Sequence, residues 1–131
     1  MKFREFVLSS GRKIRGGRDS FSNDELVRLS GREDVLVHTE MPGSPFVNLG
    51  ECPNKTEIYE GAIFCAKFSQ AWRDTKKDLI VNVFLRRDMK KNTRMKEGEW
   101  MVVMQNKVLV KKMDVLKMEN RLGFLSNCIA I

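Results

Sequence analysis

Seven consecutive residues, Leu79-Ile80-Val81-Asn82-Val83-Phe84-Leu85, are apolar at every position but Asn82 and rich in β-branched side chains. Asp78 bounds the run on one side and a cationic loop, residues 86–96, follows on the other. A run this short and this nearly unbroken reads as a central strand buried on both faces, so a sheet has to form around it. Phe3 to Leu8 reads as a further strand, Ser9-Ser10-Gly11 as its turn and Arg12 to Arg15 as the returning strand. Asp34 to Glu40 alternates, with Val35, Val37 and Thr39 on one side and Leu36, His38 and Glu40 on the other. Pro42-Gly43-Ser44-Pro45 is a turn leading into a strand over Phe46 to Leu49. Trp100 to Met104 and Lys107 to Val110 read as two strands joined through Gln105-Asn106, where Asn106 can take a positive φ.

Two helices interrupt the strands. Ser22-Asn23-Asp24-Glu25 matches a capping box and opens a short helix over Asn23 to Leu29, with Gly31 as its left-handed end. Asn54-x-x-Glu57 opens the longest helix, Lys55 to Arg73, whose apolar stripe is Ile58, Ala62, Cys65, Phe68 and Trp72. Phe64 and Ala71 widen that stripe, and Phe64 and Trp72 belong in the core. The expectation is an α+β fold: a mostly antiparallel sheet with one long helix packed on a face and a short capped helix, in a single domain over residues 1–131.

A hydrophobic fraction of 42% beside a charged fraction of 31% fits a folded soluble chain. No apolar run reaches the roughly 20 residues a bilayer span needs, and the N-terminus has no secretory pattern, so no membrane partner and a cytoplasmic location are expected. Cys52, Cys65 and Cys128 form no CxxC pair. A disulfide framework, a metal site and a cofactor are accordingly not expected.

The net charge of +7 is unevenly placed. Residues 2–18 hold six basic and one acidic side chain, residues 86–96 hold six against one, and residues 19–66 hold three against nine. Basic charge segregated in this way is the footprint of a polyanion. Arg12, Lys13, Arg15 and Arg18 in the first block, and Arg86, Arg87, Lys90, Lys91, Arg94 and Lys96 in the second, are the candidate phosphate contacts. Gly16-Gly17-Arg18-Asp19 leads into a helix start. Free amides there attract an anion and Arg18 adds a bidentate donor; alternatively Arg18 pairs with Asp19 or Asp34. Trp100 can stack on a base or serve the core. Eight methionines, six of them from Met89 onward, are either soft core filling or an adaptable surface for a protein partner in the C-terminal half.

Catalytic patterns are sparse. His38 is the only imidazole, no GxSxG elbow or P-loop occurs, and no spacing singles out a carboxylate pair. No catalytic residue is assigned. The rival readings are an enzyme or accessory subunit acting on nucleic acid through Asp19, Asp34 and His38, a DNA-binding protein, or a protein-binding adaptor.

The order Gly17-Arg18-Asp19, Asn23-Asp24, Leu26-Val27, Asp34, His38 and Pro42-Gly43-Ser44 resembles the NFACT RNA-binding domain, NFACT-R. The likeness extends through Ala62 to Trp72, with Ser69, to Gly98 ahead of a strand, and covers about residues 12–112. The resemblance implies a non-catalytic RNA-binding module. It places the family motif on Gly17, Arg18, Asp19, Asn23, Asp24, His38, Pro42, Gly43 and Ser44. Long members of that family bind the large ribosomal subunit and tRNA and extend stalled chains; short members occur alone or with a coiled coil. Leu36 stands where long members usually have an aromatic, and Pro45 where they often have histidine. The glycosylase-like, helix–hairpin–helix and coiled-coil parts do not occur in these 131 residues. The expectation is therefore a stand-alone RNA-binding adaptor with tRNA or rRNA, and the ribosome, as partners.

Overall fold

A computed structural model describes the backbone of residues 3–130 and the side chains of residues 3–122. The run that anchored the sequence reading is an interior strand. The elements follow in the order β1 (Arg4–Val7), β2 (Lys13–Gly16), α1 (Ser20–Leu29), β3 (Asp34–Thr39), β4 (Val47–Glu51), α2 (Lys55–Lys67), α3 (Gln70–Thr75) and β5 (Leu79–Leu85). A turn of 3-10 helix at Arg86–Asp88 precedes β6 (Met89–Lys90), β7 (Met101–Val102), β8 (Asn106–Val110) and α4 (Lys112–Ala130). Six strands form one sheet in the order β1-β2-β4-β3-β5-β8, every neighbouring pair antiparallel, so the chain is α+β.

Strand alternation divides the apolar residues between two cores. Ile14, Val37, Val47, Leu49 and Val81 pack against α2, α3 and α4, with Phe64, Cys65, Trp72, Val115 and Met118. Leu36 and Phe84 point to the opposite face, where they meet Leu26 and Val27 of α1 and Met89 of the small β6–β7 ribbon. The sheet is thus covered on both faces, as β5 requires.

Several local expectations shift. The box that opens α1 is one turn early: Asp19 is the cap, accepting from the Ser22 amide at 2.8 Å, while Ser22 Oγ accepts from the Asp19 amide at 3.0 Å. Ser22 is therefore the inner member of the box, not its cap, and α1 begins at Ser20. Its end is closed by Ser30 in extended conformation, whose hydroxyl donates to the Leu26 carbonyl at 2.7 Å, and Gly31 has no left-handed role. The expected single helix over Lys55 to Arg73 is two. The Ser69 hydroxyl accepts from the Trp72 amide at 3.1 Å and starts α3, and the Gln70 amide turns away to the Gly43 carbonyl at 2.7 Å.

The expected hairpin through Gln105-Asn106 does not form. Met101–Val102 pairs with β6, whereas Asn106–Val110 pairs with β5, from Leu79↔Val110 to Val83↔Asn106. The open edge of β5 offers a longer ladder than a two-residue turn could hold. The longest helix is α4, which no cap signal announced: its first amide bonds Asp78, 34 residues away, at 2.8 Å. Tyr59 donates to Asp114 at 2.5 Å, and the Trp72 indole donates to Glu119 at 3.1 Å, fixing α4 on α2 and α3.

Candidate functional site

A cleft of about 670 Å³ opens where the end of β2, the Pro42–Pro45 turn, the end of β3 and the α2–α3 junction meet the segment leading into β7. Gly17 starts its wall. Its amide donates to the Phe46 carbonyl at 3.0 Å, and a Cβ there would lie 2.0 Å from Asn23 Oδ1, so only glycine lets the loop pass this close. Asn23 uses the space to tie two segments together, accepting from the Phe46 amide at 2.9 Å and donating to the Ser44 carbonyl at 3.3 Å. The Ser44 hydroxyl, buried, accepts from the Thr39 amide at 3.0 Å and fixes the turn onto β3. Gly43 holds a positive φ of 88° while its carbonyl receives the Gln70 amide.

His38 lies on the cleft floor, its ring 4.6 Å from that of Phe46. Its Nδ1 is 2.7 Å from the Thr39 carbonyl, which can only accept, so Nδ1 carries a proton. Burial pushes the imidazole below its ordinary value of 6.5, against the opposing pull of the Thr39 carbonyl, so the ring is neutral at pH 7. Nε2 is then an acceptor. Arg4 occupies the other end: Nη1 donates to the Gly17 carbonyl at 2.6 Å and the guanidinium sits 4.4 Å from the Phe68 ring centre. Its affinity for its proton is lowered first by burial and then by the positive charges of Arg18 and Arg73. Arg18 and Lys96 line the same cleft, as does Arg73, which donates to the Phe68 carbonyl at 3.4 Å and to Gln70 Oε1 at 2.8 Å.

Asp24 lies behind the wall and organises the segment beyond. One of its oxygens accepts from the Gly98 amide at 2.9 Å, the Trp100 indole at 2.9 Å and the Lys91 ammonium at 3.3 Å. Burial raises its pKa, but these three donors outweigh that effect and hold the carboxyl below the usual range. Trp100 packs at the edge of the α1-side core with the cations of Arg86 and Lys91 at 5.1 and 5.2 Å from its ring.

The model of the family described as the NFACT protein RNA binding domain matches residues 2–104. The chain belongs to this family. Among solved structures, the C-terminal part of the fibronectin/fibrinogen-binding protein from Streptococcus suis is similar at 22% identity with a TM-score of 0.76. That match covers 85% of this chain and 45% of the other, so the chain spans less than half of that relative and the likeness speaks for the fold. No curated protein matches the chain. Membership supports RNA binding in general.

In this NFACT RNA-binding domain the motif residues Gly17, Arg18, Asp19, Asn23, His38, Pro42, Gly43 and Ser44 all line the cleft, with Asp24 buttressing it. Four of the amides at this loop and helix start are engaged within the chain: that of Gly17 by the Phe46 carbonyl, those of Arg18 and Asp19 by Ser22 Oγ, and that of Ser22 by Asp19. Among the described residues Arg18 forms no ion pair with Asp19 or Asp34. Asp34 is directed elsewhere, accepting from the Gly31 amide and from Asn48 in a separate hollow, so Asp19, Asp34 and His38 do not converge.

The candidate cations separate. Arg18 and Lys96 reach the cleft. Lys13 and Arg15 project from β2 into the hollow containing Asp34. Lys90 and Arg94 are exposed, and Arg87 pairs with Glu33 at 2.9 Å. Arg12, Arg86 and Lys91 are engaged internally. Arg12 bonds Glu57 and the Leu49 carbonyl, Arg86 the Val27 carbonyl at 2.7 Å, and Lys91 Asp24 and two loop carbonyls. Arg4, Arg73, Phe68 and Asn82 join the site although the sequence marks none of them as a site residue. The methionines divide as well: Met89 and Met118 are core, while Met41, Met101, Met104 and Met113 are exposed. Among the described residues no helix is long and apolar enough to cross a membrane.

Proposed function

We propose that this single domain binds structured RNA, tRNA or rRNA, without transforming it, and that it serves ribosome-linked translation or its quality control in the cytoplasm. The observation that carries the reading is that Arg4, Arg18 and Arg73 line one cleft framed by the family motif. Like charges on one cleft favour an anionic partner, and guanidinium is the side chain best matched to phosphate. Arg18, Arg73 and Lys96 contact phosphates at the cleft. Lys13, Arg15, Arg87, Lys90 and Arg94 meet more distant ones on a large RNA. His38, Asn23 and Ser44 shape the site.

Fluorescence anisotropy of labelled tRNA and of an rRNA hairpin, titrated at several salt concentrations, tests this. With about five of these eight cations on phosphates at once on duplex RNA, the logarithm of affinity falls against that of salt with a slope near −4 to −5. Arg18→Ala, Arg73→Ala and Lys96→Ala each flatten the slope by about one unit. Salt-independent binding, or a triple variant that binds as the parent does, refutes the proposal.

A further inference from the structure

We infer that the cleft receives one unpaired nucleotide of the bound RNA, its phosphate at Arg18 and Arg73 and the edge of its base against His38 and Asn82. This deepens the RNA-binding reading and rests on it. The register of the sheet provides the base site: His38 of β3 and Asn82 of β5 are direct cross-strand partners, and both line the cleft. Opposite residues in an antiparallel pair stand side by side on one face. Asn82 Oδ1 accepts from Lys107 at 3.4 Å, which leaves the Asn82 amide nitrogen as a donor. His38, with Nδ1 bound to Thr39, leaves Nε2 as an acceptor beside it.

An acceptor next to a donor complements the Watson–Crick edge of a nucleobase, where an N–H always neighbours an acceptor. In a duplex those edges face the opposite strand, so only a splayed-out base can reach the pair. The surroundings suit such a base. Phe46 packs against His38 with the rings tilted by 41°, Trp100 lies on the far wall, and about 670 Å³ falls within the range of pockets that enclose small molecules. Arg4, Arg18 and Arg73, which line the same cleft, supply the site for the attached phosphate. The electrostatic reading alone asks only for phosphates; the His38–Asn82 pair asks for a base as well.

The test compares a hairpin RNA bearing an unpaired loop with a blunt duplex carrying the same number of phosphates, in parallel with competition by AMP, CMP, GMP and UMP. The parent protein binds the hairpin more tightly than the duplex, and at least one nucleoside monophosphate competes. Asn82→Ala and His38→Gln, each checked for native melting, lower hairpin affinity about five-fold or more, as expected for the loss of a paired base contact. They weaken hairpin binding more than duplex binding, which rests on phosphates alone. Equal binding of hairpin and duplex, or variants that match the parent on the hairpin, overturns the inference while salt-dependent RNA binding stands. Absence of RNA binding by the parent overturns this inference together with the function it rests on.

Discussion

Asp24→Ala removes one carboxylate and unties the segment that forms the far wall of the cleft. The Gly98 amide and the Trp100 indole lose their acceptor at 2.9 Å, and Lys91 loses its counter-ion at 3.3 Å. Asp24 is 4% exposed, so water does not simply replace the carboxylate. Each orphaned donor costs about 1–3 kcal/mol, and Lys91 keeps the carbonyls of Lys96 and Glu99, so the total is about 3 kcal/mol. Asp24→Asn preserves an oxygen acceptor and loses only the charge; it costs about 1–2 kcal/mol. Adding Lys91→Met to Asp24→Asn restores part of that loss, because the ammonium no longer sits uncompensated. Urea unfolding followed by tryptophan fluorescence measures all three, and Trp100 reports directly on the untied segment. An Asp24→Ala protein within about 0.5 kcal/mol of the parent refutes the reasoning. So does a double variant less stable than Asp24→Asn.

Three further outcomes follow from the same geometry. Gly17→Ala drives a methyl into Asn23, displaces it from Phe46 and Ser44 and destabilises by about 1–3 kcal/mol, with RNA affinity falling in parallel; a neutral melting temperature contradicts this. His38 makes stability fall on acidification: its folded pKa lies below the unfolded 6.5, so the unfolded chain binds the proton first. The contribution present above pH 6.5 is lost as pH drops from there through the folded value, with a slope of at most about 1.4 kcal/mol per pH unit, and subtracting the profile of His38→Gln isolates it; a rise in that difference on acidification is incompatible with a neutral buried ring. Cys65, fully buried with its thiol pushed up to about 12, resists alkylation in the native protein, whereas exposed Cys52 reacts, as mass spectrometry of the labelled peptides distinguishes; equal labelling of both contradicts the burial.

Where interactions close within a few residues, the chain announced them. Asn54 and Glu57 form the predicted capping box, with bonds of 2.8 and 2.9 Å between residues three apart. The apolar run at β5 and the alternation at β3 depend on neighbours in sequence, and both strands stand where they were read. The order of glycines, polar residues and the Pro-Gly-Ser turn likewise marked the wall of the cleft. Tertiary contacts decided the rest. The start of α4 is satisfied by Asp78, and the choice of partner for Asn106–Val110 belonged to the open edge of β5. Whether a cation faces solvent is also nonlocal: Arg12, Arg86 and Lys91 look like Arg18 in sequence, but distant carbonyls and carboxylates claim them. Arg4, Arg73 and Asn82 come from separate elements and reach one cleft only through folding. A local pattern is an energy written between near neighbours; a site is a coincidence of remote ones, and it exists only after the sheet has set its register.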